Sequence, residues 1–166
     1  MLFRSAFAAR GIDPREAPLK LDVRDAWCSD GSGRAPLKDW NITVFDWKGS
    51  GTASQARALR AAFPQVIFED PPIEAAGGLG PIAWDRPLTS SSALAALPSA
   101  AYVNLKIPRC GGVLETLTLA EAAKARGSGI YFGGMHEVGV GRHQARALAA
   151  LLCAEATNDL ALLNEG

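Results

Sequence analysis

The stretch Tyr102–Gly112, YVNLKIPRCGG, decides how this chain is read. Tyr102, Val103, Leu105 and Ile107 form a short β-prone run without helical period, which predicts a buried strand. Pro108 lacks the N–H that a ladder needs, and Gly111-Gly112 turn the chain into a helical stretch, Leu114–Arg126. Lys106 therefore falls near the end of an apolar strand. Loss of hydration at such a place lowers an ammonium's pKa and makes the amine available as a base. The competing reading is a lysine that snorkels out of the strand end.

Working outward, the same alternation recurs. Leu19–Val23 (LKLDV), Asn41–Trp47 (NITVFDW), Gln65–Glu69 (QVIFE) and Ile82–Asp85 (IAWD) are predicted strands upstream, and Gly129–Met135 is one downstream. Thr52 can cap a helix running through Ala62, which Pro64 ends. Thr89 or Ser90 can cap a short helix Ser92–Leu97, and a further helix runs from Gly141 to Cys153. Ala75–Gly80 reads as a loose glycine-rich segment, and Asp25–Trp40 as a loop or a poor helix. Asn158–Leu163 is a candidate last strand. Residues 1–18 read as the tail of a helix, Ser5–Arg10, and a linker, as if the chain entered in mid-fold. Near-continuous apolar strands alternating with helices are the signature of an α/β chain with a parallel sheet covered by helices. A doubly wound open sheet and a (β/α) barrel both fit, and both place chemistry at the carboxyl ends of the strands.

Composition narrows the function classes. The 166 residues are 48% hydrophobic with a formal net charge of zero, which suits a globular domain or part of one. No basic block interleaved with aromatics is present, so nucleic acid is not an expected partner. No apolar run reaches the length of a membrane span, and Met1–Arg10 is too short and weakly apolar for a signal peptide. Cys28, Cys110 and Cys153 are odd in number and form no CxxC pair, which argues for reduced thiols and a cytoplasmic protein.

The decisive pattern lies at the strand ends. Lys20, Asp46, Glu69, Asp85 and Lys106 each sit at or near the end of a different predicted strand, roughly one β/α unit apart. A barrel would gather such positions around one axis. Three carboxylates gathered there need a cation, and an oxygen-only donor set suits a hard divalent ion such as Mg²⁺. An isolated strand-end carboxylate is usually a loop cap, but five ordered charges, K-D-E-D-K, are hard to explain in that way.

That order, with LKLDV, VFDWKG, FEDPP, AWDRP and VNLKIPRCGG, resembles the barrel domain of the enolase superfamily, in its muconate-cycloisomerase and o-succinylbenzoate-synthase branch. YFGGMHEVGVGRHQARALAALL resembles the strand-seven region of the same family. The resemblance implies a partial TIM-type (β/α) barrel, about strands two to eight, without the family's N-terminal capping domain. It implies Asp46, Glu69 and Asp85 as ligands of Mg²⁺ (or Mn²⁺), with Lys20 and Lys106 as acid and base on opposite faces of a small carboxylate substrate. The implied reaction removes the proton α to the carboxylate and leaves an enediolate that the ion stabilises, a chemistry for which enolase-superfamily sites are a standard illustration. Lys48, Glu137 and Met135 are the substrate-side candidates. Two positions depart from the family pattern. Asp22 stands where many relatives carry a second lysine, and Lys48 stands where they often carry asparagine, on the same face as Asp46. Asp70 reads as a turn residue before Pro71.

Weaker signals carry little. Gly49–Thr52 lacks the rest of a phosphate loop, and Val138–Gly141 lacks the preceding strand of a dinucleotide fingerprint. His136 and His143 have no third ligand at metal spacing. Rival functions are a metal-free lyase or aldolase with a Schiff base on Lys106, and a non-catalytic binding module. A barrel short of strands also leaves open edges, so self-association or aggregation of residues 1–166 is expected.

Overall fold

The computed structural model describes residue 11, residues 13–23 and residues 37–160. The expected helix Ser5–Arg10, Cys28, most of Asp25–Trp40 and the last residues of Asn158–Leu163 lie outside the described residues. The chain divides into two compact units, and the boundary falls between Ile82 and Ala83.

In the first unit, β1 (Leu19–Asp22), β2 (Ile42–Asp46) and β3 (Ile67–Glu69) pair in that order, all parallel. Helix α1 (Ala53–Ala62) connects β2 to β3, as a parallel pair requires. Its start is set locally: the Thr52 hydroxyl accepts the Gln55 N–H, and the Gln55 side chain accepts the Thr52 N–H at 2.8 Å. Strand side chains alternate, so Phe45 and Phe68 turn away from Asp46 and Glu69. Phe45 meets Phe63 edge-on at 5.1 Å and Phe68 at 6.0 Å, and Trp47 lies 5.7 Å from Phe68. Arg60 closes this layer. Its guanidinium lies over the Phe68 ring at 4.0 Å and donates to the carbonyls of Phe63, Pro64, Val66 and Pro81. The segment expected to be loose from Ala75 instead begins within a short helix, α2 (Ile73–Ala76). Two alanines after a proline favour a helical turn, and the glycines take effect only from Gly77.

In the second unit, β4 (Ile82–Trp84, its first residue belonging to the first unit), β5 (Tyr102–Leu105) and β6 (Gly129–Phe132) pair in order and in parallel. The helices are α3 (Ser91–Ala96, capped by Ser90), α4 (Ile107–Cys110), α5 (Val113–Ala125) and α6 (Gly139–Leu152). Trp84, Val103, Leu105, Leu119 and Phe132 form its buried core. Arg126 fastens α3 to the end of α5 by donating to the carbonyls of Leu94 and Leu97, each at 2.9 Å.

Several features differ from expectation. Ile107 is not a strand residue: β5 stops at Leu105, and Lys106 becomes the N-cap of α4. Pro108 ends a ladder, but its fixed φ also suits a first helical turn, and here the second role governs. Tyr102 is exposed rather than buried. The strand expected through Met135 ends at Phe132. Of the expected last strand, Asp159 forms a single parallel bridge with Gly133, while the Asn158 side chain accepts the Phe132 N–H at 2.8 Å. Among the described residues, no helix is long and apolar enough to cross a membrane.

Candidate active site

Register builds the first half of the site. Asp22 lies opposite Asp46, and Asp46 lies opposite Glu69, so three carboxylates stand in one row across β1, β2 and β3. Asp46 and Glu69 have no solvent exposure. Buried carboxylates stay ionised only with partners. Lys20, two residues before Asp22 and on the same face, supplies one: its Nζ is 2.8 Å from Glu69 Oε1 and 3.3 Å from Asp46 Oδ2. Position 20, with the ammonium, thus reaches the buried carboxylates. Lys48 supplies the other. Its Nζ binds Asp46 Oδ2, its backbone N–H donates to Asp46 Oδ1 at 3.0 Å, and Nζ also lies 3.4 Å from Asp22 Oδ1. Burial pushes the Asp46 carboxyl up, but the Lys48 hydrogen bonds and the Lys20 charge outweigh it and hold the group below its ordinary value. Burial likewise pushes the Lys48 ammonium down, and the carboxylates of Asp46 and Asp22 more than reverse it. Asp70 is buried, has a left-handed φ of 49°, and its carbonyl accepts the Gly49 N–H at 3.2 Å, as a turn residue would.

The second half forms around Asp85, which follows β4. Lys106 Nζ donates to Asp85 Oδ2 at 2.9 Å, and Arg109 binds the other carboxylate oxygen. Arg109 escaped the sequence reading. Its signal was the Pro108 helix start, which sets Arg109 one turn beyond Lys106. Asn104 was also missed, although period-two alternation puts it on the face of Lys106. It is 1% exposed, and among the described residues neither its Oδ1 nor its Nδ2 has a hydrogen-bond partner. Gly133 packs against both: a Cβ there would lie 2.5 Å from Asn104 Oδ1 and 2.6 Å from Lys106 Cε. In the turn after β6, Glu137 Oε2 accepts the Met135 N–H at 2.7 Å, and Met135 is exposed.

Of the eight residues singled out from the sequence, the first unit brings Lys20, Asp46, Lys48 and Glu69 together, and within the second unit Asp85 meets Lys106 and Glu137 meets Met135. Among the described residues, no three His, Cys, Asp or Glu side chains are gathered as a ready metal cluster. The donor chemistry nonetheless fits a hard divalent cation. The candidate ligands offer oxygen only, they are buried, and each already has a cationic side chain against it.

The fold is similar to that of solved members of the enolase superfamily. MenC from Desulfotalea psychrophila superposes with a TM-score of 0.73 at 20% identity, over 97% of this chain and 51% of its own. Muconate lactonizing enzyme from Pseudomonas putida gives 0.69 at 25% identity, over 92% and 48%. An o-succinylbenzoate synthase from Enterococcus faecalis is 42% identical over 57 residues, 34% of this chain and 16% of that protein. The fold is thus part of a TIM-type (β/α) barrel, and the chain spans about half the length of these solved relatives. Residues 10–164 match the model described as the C-terminal domain of a domain of unknown function, DUF8230, and the chain belongs to that family.

Proposed function

We propose that this chain carries the reacting half of a lyase or isomerase that removes the proton α to the carboxylate of a small substrate, with Mg²⁺ (or Mn²⁺) as cofactor and the cytoplasm as compartment. The observation that supports this most is the direct pairing of two lysines with buried carboxylates at or just beyond strand ends, Lys20 within β1 with Glu69, and Lys106 after β5 with Asp85. Asp46, Glu69 and Asp85 are the residues that would hold the ion. When bound, the ion would neutralise the substrate carboxylate and take over the negative charge that now holds the lysines. Lys106 and Lys20 would then act as base and acid at Nζ, one on each face of the α-carbon. Arg109 would keep Asp85 oriented, and Glu137 and Met135 would contact the substrate. The free Cys110 and Cys153 suit a reducing compartment.

The test is exchange of the α-proton of (R)- and (S)-mandelate, which carry a single C–H beside the carboxylate, with D₂O, followed by proton NMR with Mg²⁺ present. Lys106→Met should abolish exchange at one face and Lys20→Met at the other, with Mg²⁺ binding retained. Exchange at both faces in Lys106→Met would remove Lys106 from the mechanism. Borohydride trapping of a substrate adduct on Lys106 would favour the Schiff-base alternative instead.

A further inference from the structure

Lys48 is held in an unusual way. Its φ of 52° lies in the left-handed region that non-glycine residues seldom adopt. That conformation puts its backbone N–H on Asp46 Oδ1 while its side chain returns to Asp46 Oδ2, so one residue takes both oxygens of the carboxylate. Nζ also reaches Asp22 Oδ1 at 3.4 Å. The three sites differ in access. The Asp46 side chain is 0% exposed, whereas those of Lys48 and Asp22 are 40% and 47% exposed. A path therefore leads the ammonium outward from Asp46 to Asp22 and to water. Within the row, Asp22, Asp46 and Glu69 bring three negative charges against the two positive charges of Lys20 and Lys48. A divalent ion added at Asp46 would repel an ammonium left on the same carboxylate.

We propose that Lys48 is a resident cation of this strand end, which a divalent ion must displace from Asp46, and that Asp22 is the acceptor that receives it. The idea rests on the metal reading above and adds a determinant of metal affinity to it. Lys48 keeps the buried Asp46 ionised and ordered while no ion is bound. Asp22 lowers the cost of release by giving the ammonium a partner at the solvent edge.

The test is binding of Mg²⁺ by titration calorimetry and of Mn²⁺ by electron paramagnetic resonance, on the full chain. Lys48→Met should bind Mn²⁺ about tenfold more tightly or better, because no cation has to leave. Lys48→Arg keeps the charge and adds a fork that fits a carboxylate, so its affinity should equal or fall below that of the unmodified chain. Asp22→Asn should weaken binding, by about threefold to tenfold, only where Lys48 is present. Equal binding by the unmodified chain and Lys48→Met would overturn this inference alone. So would an Asp22→Asn loss that persists in Lys48→Met, since Asp22 would then act through its own charge. No binding by any variant at millimolar ion would overturn the metal reading and this inference with it.

Discussion

Replacing Gly133 by alanine probes the packing behind Lys106. The added methyl would lie 2.5 Å from Asn104 Oδ1, 3.0 Å from its Nδ2 and 2.6 Å from Lys106 Cε. Carbon contacts are ordinarily about 3.5–4.0 Å, so the neighbours must retreat by roughly 1 Å. Neither moves freely: Asn104 is buried, and Lys106 is tied to Asp85 at 2.9 Å. Overpacking of this kind costs about 1–3 kcal/mol. With a urea m-value of about 2 kcal/mol/M, the midpoint should fall by roughly 0.5–1.5 M. Urea titration followed by tryptophan fluorescence measures it. Gly77→Ala is the control, because nothing lies within 4 Å of a Cβ there and its φ is −63°. It should change stability little or raise it by up to about 1 kcal/mol. A Gly133→Ala midpoint indistinguishable from that of the control would refute the packing argument. Displacement of Lys106 also predicts slower α-proton exchange in the same variant.

Three further outcomes follow from the charges and the buried amide. Glu69→Gln should weaken Mg²⁺ binding by more than about tenfold in calorimetry, while Asp70→Asn should change it little; equal losses would sink the ligand assignment. Asn104→Leu removes two unpartnered polar atoms at similar volume, so urea stability should be unchanged or higher, and a loss above about 3 kcal/mol would mean that the amide is satisfied after all. Asp46 titrates below its ordinary value of 3.8 in the folded chain, so the stability it contributes is present above that value and lost as pH falls through the lower folded value. The urea-stability gap between the unmodified chain and Asp46→Asn should therefore shrink below about pH 3.8, and a constant gap from pH 7 to pH 2 would contradict the linkage.

Much of this protein is legible in one dimension because its determinants are local. Apolar runs bounded by proline and glycine marked the six strands among the described residues, and Thr52 and Ser90 marked two helix starts. Asp46, Glu69, Asp85 and Lys106 could be placed at or just beyond strand ends because strand ends are themselves local features, whereas Lys20 is the second residue of β1, which ends at Asp22. Local signals failed where one residue satisfies two conformations: Pro108 ends a strand and begins a helix, and only its surroundings choose. Partnership is not local. That Lys20 rather than Asp22 reaches the buried carboxylates, that Arg109 shares Asp85 with Lys106, and that Gly133 presses on Asn104 all depend on the register of strands distant in sequence, whereas Lys48 takes both oxygens of Asp46, two residues away, through its left-handed backbone. Burial then makes those pairings obligatory, because a carboxylate out of water must find its cation within the fold.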